Sequence, residues 1–551
     1  MPVTYCSTRG GEKGVSFEDV VLGGLAPDKG LYVPEQLPKV SLEEIEKWRT
    51  LDFADLAHKV MSQFISPEEV PSEDLERLLH ASTSNFRDAD VTPLVKVGNV
   101  WVLELFHGPT FAFKDVALQF LGNLFEFFLL RRRARGEEAR MTVLGATSGD
   151  TGSAAIYGLR GKKHVDCFIM FPTGRVSEIQ ERQMTTVPDE NIHCLSIEGT
   201  FDDCQAIVKG SFNDPKFKSR VKLGAVNSIN WARVLAQMTY YFWSVWLPLL
   251  PPMPQCWMAL GGTTIWLWTK CWRIMILESG CRSTCPPHAS GHTKPLLFTF
   301  LSGNFGDILA GFYAKQMGLP IGDMLVATNE NDILHRFFTT GKYWREKFIS
   351  TLAPSMDICV SSNFERYLFH LCGNDATQLK SWMDNFEKTG KLTVDGKLLD
   401  QAKADFVSAA VHTDDNLGTI KAQWEDNSYL LCPHSSIGYA AAVSAGYKDE
   451  ATVVLATAHP GKFPTAVSKV VDPLPDAPPE LEALWSMPTR KTELPNNKAL
   501  VQSHMVTALG DSIPAAAKCP FPKVDRKLAA LVVIAAVAAA AAVAVGVKRR
   551  K

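Results

Sequence analysis

From about residue 100 onward, short uninterrupted apolar runs alternate with longer stretches whose apolar positions recur every three or four residues. The first pattern is that of a strand buried on both faces, the second that of a helix with one packed face. Met141–Thr147 (MTVLGAT) reads as a strand, and Ser153–Leu159 as a helix entered through a Gly-rich turn. Val165–Phe171 is the next strand, followed by the helical VSEIQERQM from Val176; Ile192–Ile197 and Phe201–Phe212 repeat the order. Leu296–Ser302 then precedes a helix over Ile308–Met317, and Met324–Thr328, Tyr429–Cys432 and Thr452–Ala456 supply later strands. This alternation predicts an α/β fold of mostly parallel sheets with helices on both faces. Ligands in such folds sit at the carboxyl ends of the strands, so the loops there are where chemistry is sought.

Several regions depart from this rhythm. Residues 1–95 are more polar, with helical stretches at Leu42–Trp48 and Ser72–Leu79, and are expected to form an N-terminal subdomain ahead of a core at 96–470. A C-terminal extension follows at 471–515, opening with the Pro-rich Pro473–Pro479. Within the core, 247–297 holds four of the 12 cysteines and four of the 13 tryptophans and shows no clean period. Its composition changes abruptly at both edges, as in a long loop or in sequence from a retained intron or misread exon. Cys281, Cys285, His288 and His292 have the residue types of a zinc site, but lack the long spacer between Cys and His pairs, and no metal is expected. The end of the chain, 516–551, reads as a linker and an uncharged run of 20 residues, 528–547, flanked by Arg526 and Lys527 and by Lys548–Lys551. That length matches one bilayer crossing and makes 528–547 a candidate membrane anchor; an Ala-rich helix is the other reading.

Composition narrows the class. Hydrophobic residues at 46% and charged residues at 21% are a globular balance with ample material for a core. Lys plus Arg (57) nearly cancels Asp plus Glu (59), for a net charge of -2, which argues against a nucleic-acid partner. Twelve cysteines over 551 residues are too sparse for a disulfide scaffold, and no basic-then-apolar stretch precedes Tyr5. A cytoplasmic enzyme is the expectation.

Four loops carry candidate chemistry. His107–Asp115 (HGPTFAFKD) places Lys114 between aromatic residues and the apolar helical stretch Val116–Leu130. Desolvation there would lower the lysine pKa and free an amine for Schiff-base chemistry, though a lysine that snorkels to water has the same sequence appearance. Gly145–Gly152 (GATSGDTG) joins a strand to a helix, with backbone amides and the hydroxyls of Thr147, Ser148 and Thr151 able to meet an anion; an ordinary capped turn reads alike. Ser302–Asp307 (SGNFGD) is a second such junction, its glycines flanking Asn304 and Phe305 in an amide nest suited to phosphate. Ala456–Phe463 (ATAHPGKF) offers Thr457 at a strand end, and His459, whose commoner role is structural. A lysine for an imine, a phosphate nest and a hydroxyl-rich anion loop together point to pyridoxal 5'-phosphate.

Taken in order, FKD, TSGDTG, GNFGD and TAHPGKF, together with YCSTRGG at Tyr5–Gly11 and LAPDKGLYVP at Leu25–Pro34, resemble the threonine synthases of the long microbial and fungal type. The resemblance covers about 5–246 and 298–467, and weakly extends to about 490. It implies a fold-type II pyridoxal-phosphate enzyme, a lyase converting O-phospho-L-homoserine and water to L-threonine and phosphate. Lys114 would form the internal aldimine. Gly303, Asn304, Phe305 and Asp307 would lie in the loop holding the cofactor phosphate, and Thr457 would face the pyridine nitrogen. Ser148, Asp150 and Thr151 would contact the substrate carboxylate or the cofactor ring. Arg9, Lys162 and Lys163 are candidates for the substrate phosphate. Segment 247–297 and the Ala/Val tail are not part of the family pattern. Two other outcomes stay open at this level: a related phospho-lyase that releases phosphate and a 2-oxo acid, and an inactive membrane-tethered homologue.

Overall fold

The computed structural model describes residues 3–245, 296–449 and 451–510. Most of segment 247–297, with its candidate zinc residues, and the 528–547 run lie outside the described residues. Among the described residues, no helix is long and apolar enough to cross a membrane.

The strands are, in chain order, β1 (Tyr5–Ser7), β2 (Tyr32–Pro34), β3 (Leu94–Val97), β4 (Val100–Glu104), β5 (Met141–Ala146), β6 (Val165–Pro172), β7 (Ile192–Ile197) and β8 (Leu223–Gly224). They continue with β9 (Leu296–Leu301), β10 (Ile321–Thr328), β11 (Lys342–Trp344), β12 (Lys391–Thr393), β13 (Val407–Ala410), β14 (Thr452–Ala456) and β15 (Thr492–Leu494). Two sheets organise the molecule. The larger runs β13-β10-β9-β14-β4-β3, parallel throughout except for the β3–β4 hairpin. The smaller runs β15-β7-β6-β5-β8 and is parallel throughout. Two antiparallel pairs, β1–β2 and β11–β12, stand apart. The central strands β9 and β14 are buried at every position, which is why they read as unbroken apolar runs without alternation.

The chain passes from the larger sheet to the smaller through the helix Lys114–Ala134, and this helix packs on Asp150–Leu159. Two glycines permit the packing: a Cβ on Gly122 would run into the Gly158 carbonyl, and one on Gly158 into the Leu118 carbonyl. The two helices whose first residues are Lys114 and Asp150 are thus locked backbone to backbone. The helical part of residues 3–95 shares one continuous core with the rest, Tyr5 and Phe64 both meeting the Trp231 ring.

Differences from the sequence reading are local. The helix expected at Ser153–Leu159 starts at Asp150, because the Thr147 hydroxyl accepts from the amides of Gly149 and Gly152 (2.9 Å each) and completes the first turn. The stretch expected at Val116–Leu130 extends to Lys114–Ala134, closing on Arg131, Arg132 and Arg133 where the helix dipole favours cations. Tyr429–Cys432 is extended but joins no sheet. Its Tyr429 hydroxyl donates to Glu104 (2.6 Å), and Cys432 caps the helix Pro433–Ser444, so the segment leads into a helix instead of pairing.

Replacing Gly158 by Val forces the two helices apart. The expected outcome is a loss of at least about 2 kcal/mol in denaturant unfolding, with Gly418→Val, at an exposed position of the helix Thr413–Asn427 with open space around it, as a check on surface effects.

Candidate active site

The functional side chains converge where loops from the larger sheet meet the start of a helix from the smaller one. After β4, the chain turns through His107–Phe113 and presents Lys114 as the first residue of its helix. That turn is pinned to the end of β14: the Phe113 amide donates to the Thr457 carbonyl (2.7 Å), and Ala112 and Ala458 form an isolated bridge. Asp115 holds the loop from within, accepting from the Thr110 amide (2.8 Å) and hydroxyl (2.7 Å), while burial pushes its carboxyl up to about 6. Lys114 itself is 6% exposed.

Its Nζ lies 3.6 Å from Asp150 Oδ2 and 4.7 Å from the Phe113 ring centre. Desolvation brings the amine down from an ordinary 10.5 to about 8; the Asp150 charge opposes that shift, and the Lys462 and Arg233 charges add to it. Snorkelling is therefore not the state of this lysine. Asp150 is held ionised well below the usual carboxylate range against the cost of its own burial, with Lys462 the largest favourable influence and Lys114 the next. Its Oδ1 accepts from Lys462 Nζ (2.7 Å) and Gln180 Nε2 (2.9 Å), and its Oδ2 from Ser355 Oγ (2.9 Å). The Ser355 amide donates to His434 Nε2 (3.3 Å), whose ring is buried against Phe463 and kept neutral, at about 3.

The Ser302–Asp307 loop has the features of an anion cradle. The amides of Gly303, Asn304, Phe305, Gly306 and Asp307 find no acceptor among the described residues, and the buried Ser302 hydroxyl has no partner. These amides open the helix Gly306–Met317, where the dipole is positive. Phe305 takes a left-handed conformation (φ 60°), which its side chain secures by packing among Phe364, Phe406 and Tyr367 at 5.3, 5.3 and 5.9 Å between ring centres. Gly303 lies too close to Ile358 and Met356 for any Cβ.

The side chains expected at the site divide into two groups. Lys114 and Asp150 meet directly. Thr457, 2% exposed, has a hydroxyl with no partner, its amide donating to Ser435 Oγ (3.0 Å). Ser148 and Thr151 stay half-buried on the same turn as Asp150. Phe305 and Asp307, in contrast, turn their side chains away from the nest and leave only backbone to it. Asp307 Oδ1 accepts from the Tyr241 hydroxyl (2.8 Å), and burial lifts its carboxyl to about 7. The Asn304 carboxamide oxygen accepts from Ser362 (3.3 Å). Two of the candidate phosphate partners are paired, Arg9 with Glu365 and Glu387 (2.9 Å each) and Lys162 with Asn123 (2.5 Å), and Lys163 is exposed. His459 accepts from the Gly461 amide (3.1 Å) and packs edge-on to Phe106 and Phe111, a structural role.

Arg233 was not legible as a site residue. It is 4% exposed, its Nε and Nη1 have no hydrogen-bond partner among the described residues, and burial lowers its guanidinium to about 10. It belongs to the helix Trp231–Ser244, which packs on Gly306–Met317, and its charge reaches Lys114. A buried cation without a counter-charge is costly unless an anion arrives. A cleft of about 960 Å³, lined by Arg87, Phe111, His459 and Trp485 among others, includes none of Lys114, Asp150, Thr457 or the 302–307 loop, so this chemistry lies outside it.

Comparison with other proteins identifies the family. The family description "Threonine synthase N terminus" matches residues 4–83, and "Threonine synthase, C-terminal" matches 435–505. The threonine synthase of Schizosaccharomyces pombe is 45% identical over 497 residues, spanning 85% of this chain and 89% of that protein. The chain belongs to the threonine synthase family. The Saccharomyces cerevisiae threonine synthase is 46% identical over 495 residues, again 85% of this chain and 89% of the relative. Among solved structures, yeast threonine synthase superposes with a TM-score of 0.80 at 42% identity, covering 92% of this chain and 98% of that one. The PLP-bound threonine synthase of Brucella melitensis gives 0.79 at 40% identity, covering 92% and 99%. The sheets described above are therefore those of a threonine synthase fold.

Because Lys114 titrates lower in the folded chain than in the unfolded one, its burial costs stability wherever the unfolded state keeps the proton. Lys114→Met is expected to be more stable than the parent by on the order of 2–3 kcal/mol below about pH 8. That gap should close as pH rises from about 8 to about 10.5, in urea unfolding followed across the range.

Proposed function

We propose that the chain converts O-phospho-L-homoserine and water to L-threonine and phosphate, with pyridoxal 5'-phosphate bound through Lys114. The observation that carries this reading is a buried lysine with a depressed pKa, linked through Asp150 and Ser355 to the segment that packs on an amide cradle, with a buried arginine whose charge reaches it, in a chain of the threonine synthase family.

The residues fit the cofactor. The free amides of Gly303–Asp307 and the orphan Ser302 hydroxyl supply donors for its phosphate, and the orphan Thr457 hydroxyl supplies a partner for the ring nitrogen. When bound, the cofactor provides the electron sink that allows protons to leave carbon. A hydroxyl at Thr457 does not enforce ring protonation as a carboxylate would. Lys114, poised near 8, can hold or release a proton at neutral pH, as the successive transfers at Cα, Cβ and Cγ of the substrate require. Arg233 is our assignment for the substrate phosphate, which would pair the buried Nε and Nη1 of its guanidinium with a dianion. Ser148 and Thr151, half-buried on the turn that carries Asp150, would contact the substrate carboxylate or the cofactor ring. Burial of Lys114, Asp150 and Lys462 limits access of bulk water to the amine.

Purified protein given pyridoxal phosphate and O-phospho-L-homoserine is expected to yield threonine and phosphate in equal amounts. Lys114→Ala should lose both the turnover and the visible absorbance of the bound cofactor. Phosphate with 2-oxobutanoate and no threonine would reassign the chain as a phospho-lyase, and no product from a cofactor-loaded protein would end the proposal. Arg233→Leu is expected to retain cofactor absorbance while kcat/KM falls at least about 100-fold, roughly 2.7 kcal/mol.

A further inference from the structure

Lys462 has no part in the reaction as described, yet it is 0% exposed at the heart of the site. It ends the short turn Pro460–Lys462 that follows β14. Its Nζ donates to Asp150 Oδ1 at 2.7 Å and to the Thr110 carbonyl at 2.8 Å. The same carbonyl accepts from Gln183 (3.1 Å), and the Thr110 amide and hydroxyl hold Asp115. One ammonium therefore joins the carboxylate that opens the Asp150 helix to the loop that delivers Lys114 four residues later. The cation in hydrogen-bonding contact with Asp150 is Lys462, whereas Lys114 stands off at 3.6 Å.

We propose that Lys462 is a positioning residue, which occupies Asp150 and anchors the Thr110 loop so that the Lys114 amine stands beside the carboxylate without being captured by it. The inference rests on Lys114 as the cofactor lysine. The charged and titratable groups around that amine are Asp150, Lys462 and Arg233, with neutral His434 behind Asp150 and Asp115 turned onto Thr110. Take Lys462 away, and Lys114 loses a like charge and becomes the sole lysine partner of a buried carboxylate. Both changes favour its ammonium form. Remove Asp150 as well, and the attraction goes with the repulsion, which restores the amine.

The test follows the reactivity of Lys114 in the full-length, cofactor-free chain by competitive labelling with trace acetic anhydride across pH, read by mass spectrometry of the Lys114 peptide. The parent midpoint is expected at about 8. In Lys462→Met it should rise by about one pH unit or more, a tenfold drop in reactive amine below the midpoint. In Asp150→Asn/Lys462→Met it should return to the parent value or below. The double variant buries no unmatched partner of the pair and keeps the comparison available should the single variant fold poorly. A Lys462→Met midpoint equal to the parent's would overturn the inference, as would a double variant that stays raised. Cofactor absorbance retained in Lys114→Ala would instead overturn the assignment of Lys114 while leaving these midpoints measurable.

Discussion

A carboxylate sealed from water has to be matched by charge and hydrogen bonds, and Asp150 is that constraint in this protein. It receives Lys462 from the turn after β14, Gln180 from the helix Glu178–Thr185 and Ser355 from the turn Pro354–Met356, with Lys114 close by. Lys462 and Lys114 follow strands of the larger sheet and Gln180 follows a strand of the smaller one, so satisfying one side chain fixes the relative placement of the two halves of the site. The backbone contact at Gly122 and Gly158 does the same job from below, setting the helices of Lys114 and Asp150 at one separation. Packing and electrostatics thereby specify the same geometry, which is the condition for a site that does not reorganise when charge moves.

The phosphate nest depends on a different device. Its left-handed residue is a phenylalanine, not a glycine, and such a conformation persists only when the surroundings over-determine it. Here they do: the Phe305 ring is enclosed by Phe338, Phe364, Tyr367 and Phe406. The Phe305 side chain acts by packing, and holds its own backbone amide in place. Asp307 behaves alike. Its Oδ1 accepts from the Tyr241 hydroxyl, tying Gly306–Met317 to Trp231–Ser244, the helix that carries Arg233.

The alternation of strands and helices was legible because parallel strands buried on both faces leave uninterrupted apolar runs, as in β9 and β14. The loops at their carboxyl ends were legible too, since Gly, Ser and Thr must cluster where backbone approaches an anion. Tyr429–Cys432 failed because apolar extended sequence does not record whether a neighbouring strand is available, and here a helix cap took its place. What the sequence could not display was convergence. Lys114, Gln180, Arg233, Ser355, His434 and Lys462 are separated by tens to hundreds of residues, and each alone has an ordinary surface or core reading. Arg233 carried a signal only in three dimensions, as an arginine buried with no acceptor.

Segment 247–297 interrupts the chain between two parts of the site, since Arg233 precedes it and the 302–307 nest follows it. The flanking elements are nonetheless joined by contacts of their own. The Tyr241 hydroxyl reaches Asp307, the Tyr241 ring meets Phe298 of β9 at 5.1 Å, and the helices Trp231–Ser244 and Gly306–Met317 pack along their length. Strand β9 is held between β10 and β14 by its own ladders. Lengthening a connection between ends already fixed in this way costs only about 1–2 kcal/mol of closure entropy, less than one buried aromatic side chain contributes by packing. The placement of the helix that carries Arg233 against the helix that follows the nest is therefore set by their own contacts and the sheet, and the length of the connection between them is a minor energetic factor.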